Sequence, residues 1–250
     1  MRVSLAMLVA VFSLVYLAGC AQPSSDMITR YNLGPAGPVV TAVVENSGGL
    51  NKLKAINTIQ TTAVVSVYRK GTPYSTAQAM VIRPNAGMIT STADLPEGSW
   101  SATVYLDGRS RITTTGSLQL SSLQRYEITD YLRLILHRVR GVTNLLGGGE
   151  TAGEAADVFV GTYRTTRVLS TGRGVLASAY FFDTDASELR MVTTGGYTPA
   201  SAGTVTVYNN RRMPDGVILP ASLHVSKIGS NTLVGEGTLL EIEFKDVVVK

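Results

Sequence analysis

The residue types able to do chemistry are few in this chain, and their spacing excludes most reactions. There is one cysteine, Cys20, and there are two histidines, His137 and His224. A thiol can form a disulfide, ligate a metal or accept an acyl group. Because Cys20 stands alone, an intramolecular disulfide and a multi-cysteine metal site are excluded, leaving acylation. His137 falls on the polar side of a helical pattern, and His224 alternates with the apolar Leu219, Ala221, Leu223 and Val225 of a strand, so both read as solvated histidines. No Gly-x-Ser-x-Gly elbow and no His-Glu-x-x-His pair occurs. Asp183, Asp185 and Glu188 resemble a fragment of a calcium loop, but the glycine and later bidentate glutamate are missing at the required spacing, so a polar hairpin turn is expected. Gly147-Gly148-Gly149-Glu150 follows a helix rather than a strand and lacks the Gly-Lys-Ser/Thr ending of a phosphate loop. Trp100 and the tyrosines could stack a ligand, although aromatic residues are favoured in strands in any case. The sequence therefore predicts no catalytic constellation, no metal site and no cofactor.

The setting of Cys20 is informative. Arg2 supplies a positive start, and Leu5 to Leu17 form an apolar run too short for a comfortable span of about 20 residues. Leu17-Ala18-Gly19-Cys20 then leads into the polar Gln22, Pro23, Ser24, Ser25 and Asp26. This is the order of a secretory signal, and Leu-Ala-Gly-Cys resembles the lipobox of bacterial lipoproteins. The resemblance implies a signal peptide over residues 1–19, cleavage before Cys20, and two or three acyl chains on Cys20 as the membrane anchor; one chain alone would bind only marginally. Ala21, in place of the aspartate that retains such proteins in the inner membrane, implies a cell-envelope location at the outer membrane, facing the periplasm.

The elements that would follow such an anchor are legible. Removing residues 1–19 leaves 231 of the 250 residues, which suits one domain. The formal charge of +4 falls to +3 without Arg2, and scattered Lys and Arg residues carry no nucleic-acid footprint. Pro23, Ser24, Ser25, Gly34, Pro35, Gly37 and Pro38 make residues 20–38 a lipidated end with a flexible tether, followed by one domain over residues 39–250. Val39, Ala42, Val43, Leu50, Leu53 and Ile56 recur at helical spacing with a break at Asn46-Ser47-Gly48-Gly49, predicting two short helices. A period of two then predicts strands at 62–68, 74–83, 86–93, 99–107 and 109–115. Ile128, Leu132, Ile135, Leu136, Val139 and Val142 mark one long helix over 119–146, with Arg133, His137, Arg138 and Arg140 mostly off its apolar stripe. Gly147-Gly148-Gly149 ends it. Strands resume at 157–170, 174–183, 187–194, 203–211, 217–228, 231–237 and 238–249. The expected fold class is α+β, mostly antiparallel β.

One face of this sheet is apolar. Val65, Val67, Met80, Ile82, Val104, Leu106, Phe181, Leu189, Met191, Val205, Val207, Leu223, Val225, Ile242 and Phe244 alternate with polar residues, and Leu132, Ile135 and Leu136 of the long helix would cover them. Periodicity cannot separate a packed core from a sheet curled around an apolar cavity.

Three stretches resemble the LolA/LolB-like superfamily of lipoprotein carriers and receptors. These are Gly48-Gly49-Leu50-Asn51-Lys52-Leu53-Lys54-Ala55-Ile56 before a strand; Tyr180-Phe181-Phe182-Asp183 with Ser187-Glu188-Leu189; and Met213-Pro214-Asp215-Gly216-Val217-Ile218-Leu219-Pro220, closed by Glu241 to Val247. The resemblance implies a half-open, curled antiparallel sheet, an incomplete barrel, with helices over its concave face. It also implies acyl-chain binding inside, by Val65, Val67, Met80, Ile82, Val104, Leu106, Leu132, Ile135, Leu136, Phe181, Met191, Val207, Leu223 and Val225. A freely diffusing carrier role is excluded by Cys20. Two functions stay open: a membrane-anchored lipoprotein that takes up lipid or lipoprotein acyl chains, and a non-catalytic envelope module that senses or scaffolds a protein partner with its interior packed. An envelope hydrolase is a third, without a visible base or metal.

Overall fold

The computed structural model describes residues 33–69, 71–146, 150–160, 162–172, 175–195, 203–229 and 232–250. The signal peptide, Cys20, the tether up to residue 32 and Gly147-Gly148-Gly149 lie outside the described residues. A 3-10 turn at Gly34–Ala36 leads into α1 (Gly37–Asn46) and α2 (Leu50–Ala55). Five strands follow, β1 (Ile59–Arg69), β2 (Thr72–Arg83), β3 (Met88–Leu95), β4 (Gly98–Tyr105) and β5 (Ser110–Thr114). The long helix α3 (Ser122–Arg140) continues as a 3-10 segment at Gly141–Leu146. The chain ends with β6 (Glu150–Val160), β7 (Tyr163–Gly172), β8 (Val175–Asp183), β9 (Glu188–Thr194), β10 (Thr204–Arg212), β11 (Ile218–Gly229) and β12 (Thr232–Val249).

All twelve strands form one sheet in the order β5-β4-β3-β2-β1-β12-β11-β10-β9-β8-β7-β6. Every neighbouring pair is antiparallel. The first five strands meander outward from the centre to the β5 edge, and the last seven meander back from the β6 edge until β12 pairs with β1. Edges β5 and β6 do not pair, so the sheet is open. The connection between these edges is α3, which at about 1.5 Å per residue reaches about 28 Å and so must cross one face of the sheet. Residues from β4 (Ala102, Val104), the centre (Val65, Ile242) and β7 (Val168) share one core cluster with Leu132, Ile135 and Leu136 of α3. A flat sheet of this width could not bring them together; it curls around the helices as a half-open barrel.

Local chemistry accounts for the element ends. α1 begins with Pro38 in its first turn, and Gly48 and Gly49, at φ 98° and 88°, turn the chain into α2. Ser121 caps α3: its hydroxyl accepts from the Gln124 amide and the Gln124 side chain accepts from the Ser121 amide. The turns between α1 and α2, β8 and β9, and β10 and β11 meet at one end of the barrel. Asn46 donates to the carbonyls of Ala186 and Ser187, Arg212 donates to the Asn46 carbonyl and side chain, and Lys52 donates to the Asp215 carbonyl.

Several expectations need correction. The expected strand at 157–170 is two strands joined at residues 161–162, where Gly161 was the only turn signal. The expected pair 231–237 and 238–249 is the single strand β12, kinked by bulges where Gly237 takes φ 77°. The helix expected to run to residue 146 stops at Gly141, whose φ is 49°. Packed chain begins earlier than the expected boundary at residue 39, since Leu33 and Ala36 are fully buried.

Four residues expected on the inner face, Phe181, Met191, Val205 and Val207, lie on the outer one. Tyr180 and Phe182 are both inward, stacked with centroids 6.3 Å apart, so Phe181 between them points out; three successive aromatics had hidden the parity. Phe182 pairs with Leu189 and Phe181 with Met191, skipping Arg190, and this bulge puts Leu189 inside and Met191 outside. Phe181 and Met191 join Ala179 and Val205 in a small second cluster. Val207, their neighbour in the same row, is 46% exposed. In β10 the inward residues are instead Thr206 and Tyr208.

The reason for that polar choice is Arg138. Expected among the solvated residues of the helix, it is only 4% exposed. Its Nε donates to Thr206 Oγ1 at 3.0 Å and an Nη to Thr194 Oγ1 at 2.7 Å, while the Tyr208 hydroxyl donates to its carbonyl at 3.3 Å. Valines could not satisfy a buried guanidinium. Arg140 and His137 also have partners.

Candidate functional site

The inner face is not uniform. Most of it is closely packed: Met80, Ile82, Ile89, Leu132, Ile135, Leu136 and Leu223 are each less than 2% exposed. At the end where α3 begins, the packing opens into a cavity of about 240 Å³ between α3 and strands β1 to β4. Its apolar wall is Val67, Leu95, Trp100, Leu118, Leu120 and Ile128, with Tyr74 and Tyr131. Arg69, Glu97, Gln124 and Glu127 stand around it.

Strand β2 carries the transition from packed core to cavity along a single face. Ile82 and Met80 are core, Gln78 is buried and polar, and Thr76 and Tyr74 line the cavity. Gln78 is held on all sides: its Nε2 donates to Thr76 Oγ1 at 2.8 Å and Tyr131 Oη at 2.9 Å, and its Oε1 accepts from Ser91 Oγ at 2.8 Å. Burial pushes the Tyr131 phenol far above its ordinary range, against the opposing effect of the Gln78 hydrogen bond. It therefore stays neutral, and an uncharged, hydrogen-bonded set of polar side chains separates the packed core from the cavity.

The wall is held by two clamps. Arg69 at the end of β1 forms an ion pair with Glu127 of α3, tying sheet to helix beside the opening. Residues 115–121, which carry Leu118 and Leu120, are pinned by Arg125 to the carbonyls of Leu120 and Ile112. The same segment meets the β3–β4 turn backbone to backbone: Thr115 N donates to Ser99 O and Ser117 N to Glu97 O, both at 2.9 Å. Gly98 and Gly116 permit this approach. A Cβ on Gly116, whose φ is 66°, would lie 2.7 Å from Glu97 O.

Of the residues expected to line an apolar cavity, only Val67 borders this one. Val65, Met80, Ile82, Val104, Leu106, Leu132, Ile135, Leu136, Leu223 and Val225 belong to the packed core or lie against it. Sequence reasoning missed Leu95, Leu118, Leu120, Ile128 and Tyr131. The available signal was the switch from Ile82 and Met80 to Gln78, Thr76 and Tyr74 along one strand face, which marks where the interior stops being apolar core. Asp183 takes the predicted turn role. Its carboxylate accepts from the amides of Asp185 and Ala186 and from Arg190 Nε, and among the described residues no group of acidic, His or Cys side chains could hold a metal. Nor is any described helix long and apolar enough to cross a membrane.

No protein-family model and no curated protein matches the chain. Solved structures do. A DUF1329 family protein from Desulfovibrio piger superposes with a TM-score of 0.55 at 9% identity, covering 86% of this chain and 93% of that one. An outer-membrane lipoprotein-sorting protein domain from Vibrio parahaemolyticus gives a TM-score of 0.49 at 8% identity over 83% of this chain and 92% of its own. A LolA superfamily protein from Nitrosomonas europaea gives 0.46 at 7% identity over 84% and 93%. The likeness is one of fold.

Proposed function

We propose that the protein is a lipid-anchored envelope protein, tethered through Cys20 to the outer membrane, that takes an acyl chain of a lipid or lipoprotein into the cavity between α3 and strands β1 to β4. The observation that carries the reading is the cavity itself. It is an unfilled apolar space of about 240 Å³ at one end of a core most of which is closely packed, walled by Leu, Ile, Val and Trp side chains and rimmed by charged ones. Its size is slightly below the usual range for small-molecule sites, about 300–1,000 Å³, which suits part of one chain rather than several. At about 0.8 kcal/mol per buried methylene, a stretch of eight methylenes would gain about 6 kcal/mol over water and almost nothing over a bilayer. Such a site can therefore accept and release lipid at a membrane without trapping it.

The test is native mass spectrometry of the protein extracted from its own membrane. The reading expects bound lipid together with a mass increment at Cys20 for two or three acyl chains. Uniformly empty protein that also fails to take up a fluorescent fatty acid would overturn it, and would leave a partner-binding envelope module as the better account.

A further inference from the structure

The hydrogen bonds around Gln78 leave two donors without acceptors at the inner end of the cavity. Ser91 Oγ lies 2.8 Å from Gln78 Oε1, and a carbonyl oxygen only accepts, so the serine donates. The amide nitrogen is thereby turned the other way, where it donates one hydrogen to Thr76 Oγ1 and one to Tyr131 Oη. Each of these hydroxyls accepts from Gln78 and keeps a hydrogen of its own. Among the described residues neither that of Thr76 nor that of Tyr131 has an acceptor.

The placement of the pair gives the two free hydrogens a direction. Thr76 and Tyr131 line the cavity, whereas Gln78, 1% exposed, does not. The two hydroxyls therefore stand between the amide and the open space. Tyr131 is itself only 8% exposed, and burial keeps its phenol protonated. Hydrogen bonds from one planar amide nitrogen diverge by about 120°, which sets the two hydroxyl oxygens about 5 Å apart, and a single oxygen atom beside both accepts from each at about 2.8 Å. Buried donors are rarely left without an acceptor, and this pair converges on a place for one.

The surroundings decide which acceptor fits. Arg69 is the only cation among the described residues that border the cavity, and it is paired with Glu127 beside the opening. A carboxylate or phosphate at the inner end would be desolvated without a counter-charge. An alcohol would bring a hydrogen of its own, and the carbonyl nearest to it, Gln78 Oε1, is already taken by Ser91. An uncharged carbonyl oxygen has two lone pairs for the two donors and no hydrogen to place. Toward the mouth, where Tyr74 is 58% exposed, the wall of Val67, Leu95, Trp100 and Ile128 suits an aliphatic chain.

We propose that the cavity holds a single-chain lipid by an uncharged carbonyl at its inner end, bound by the Tyr131 and Thr76 hydroxyls, with the aliphatic chain running to the mouth. Fatty aldehydes, long-chain ketones and esters of small alcohols have this chemistry. The assignment rests on the reading of the cavity as a lipid site, and adds what the occupant carries and which end of it lies deepest. Gln78 sets the direction of both donors, and Ser91 sets the direction of Gln78.

The experiment compares a methyl ketone brominated at the far end of its chain with the bromoalkane of equal length, on the full chain, by quenching of Trp100, the only tryptophan. Both should bind. In the double variant Thr76→Val with Tyr131→Phe, with circular dichroism matching the parent, the ketone's affinity should fall about 10-fold or more and the alkane's should change by less than about twofold. The carbonyl stretching band of the bound ketone, read by infrared difference spectroscopy, should lie below its position in hexane and return toward it in the double variant. Thr76→Val alone, at a partly exposed strand position, leaves the Gln78–Tyr131 bond in place and should give an intermediate band. A ketone that binds the folded double variant as tightly as the parent, or a bound carbonyl band at its hexane position, would overturn the assignment and leave the cavity standing as a lipid site. Failure of ketone and alkane alike to quench Trp100 would overturn the lipid reading, and this assignment with it.

Discussion

Replacing Gly98 by alanine tests the backbone contact that holds the cavity wall. A Cβ built on Gly98 would fall 2.9 Å from the Thr115 carbonyl carbon and closer still to its oxygen, at a residue whose φ is 142°. Reaching an ordinary van der Waals separation of about 3.5 Å requires the segment at Thr115 to withdraw by about 1 Å. The hydrogen bonds from Thr115 N to Ser99 O and from Ser117 N to Glu97 O, now 2.9 Å, would then stretch beyond the useful limit of about 3.2 Å. Two such bonds are worth about 1–3 kcal/mol net, and backbone strain adds about 1–3 kcal/mol. For a chain of this size the melting temperature should fall by about 5–20 °C. Trp100, the only tryptophan, lies in the wall beside Leu118 and Leu120, so its emission should move to the red in the folded state as that segment lifts. The control is Gly71→Ala, where φ is 80° but no atom lies within 4 Å of the new carbon. It should show strain alone, about 1–2 kcal/mol, with unchanged emission. A Gly98→Ala protein that melts and fluoresces like Gly71→Ala would refute the reasoning.

Other substitutions test other parts of the account. Arg138→Met should destabilise the protein by about 2–4 kcal/mol in urea titration, because two threonine hydroxyls lose their donor; Arg138→Met with Thr194→Val and Thr206→Val should recover that loss or exceed the parent. Asp183 is held below the ordinary carboxylate range: burial opposes its charge, but hydrogen bonds from Ala186, Arg190 and Asp185 outweigh it. A depressed pKa gives stability that is present above the unfolded value of 3.8 and lost as pH falls through the folded one, so the stability of Asp183→Asn should vary less than the parent's below about pH 4. Tyr131→Phe removes one acceptor from the buried Gln78 amide and should cost about 1–2 kcal/mol by chemical denaturation.

How far the sequence revealed this molecule depended on whether each signal was local. The break at Gly48-Gly49 and the alternation of β1 and β2 are set by neighbouring residues, and the predicted elements match them. The face of β10 was not legible, because Thr206 and Tyr208 turn inward to serve Arg138, a residue some seventy positions away. Met191 followed a bulge that no composition signals. The merged strand at 157–170 had only Gly161 to divide it. Apolar periodicity marks the inner face as a whole, whereas an unfilled region depends on where a helix starts and how two backbones meet, so of the residues read from it Val67 alone borders the cavity.

The central claim concerns the cavity, and Trp100 in its wall supplies a direct probe. A fatty acid brominated along its chain should quench Trp100 fluorescence in a saturable way with one molecule per protein. Val67→Phe, which fills the space from the β1 side, should abolish that quenching while the protein melts as a folded domain. Absence of quenching at saturating fatty acid, or quenching that persists undiminished in folded Val67→Phe, would contradict the account.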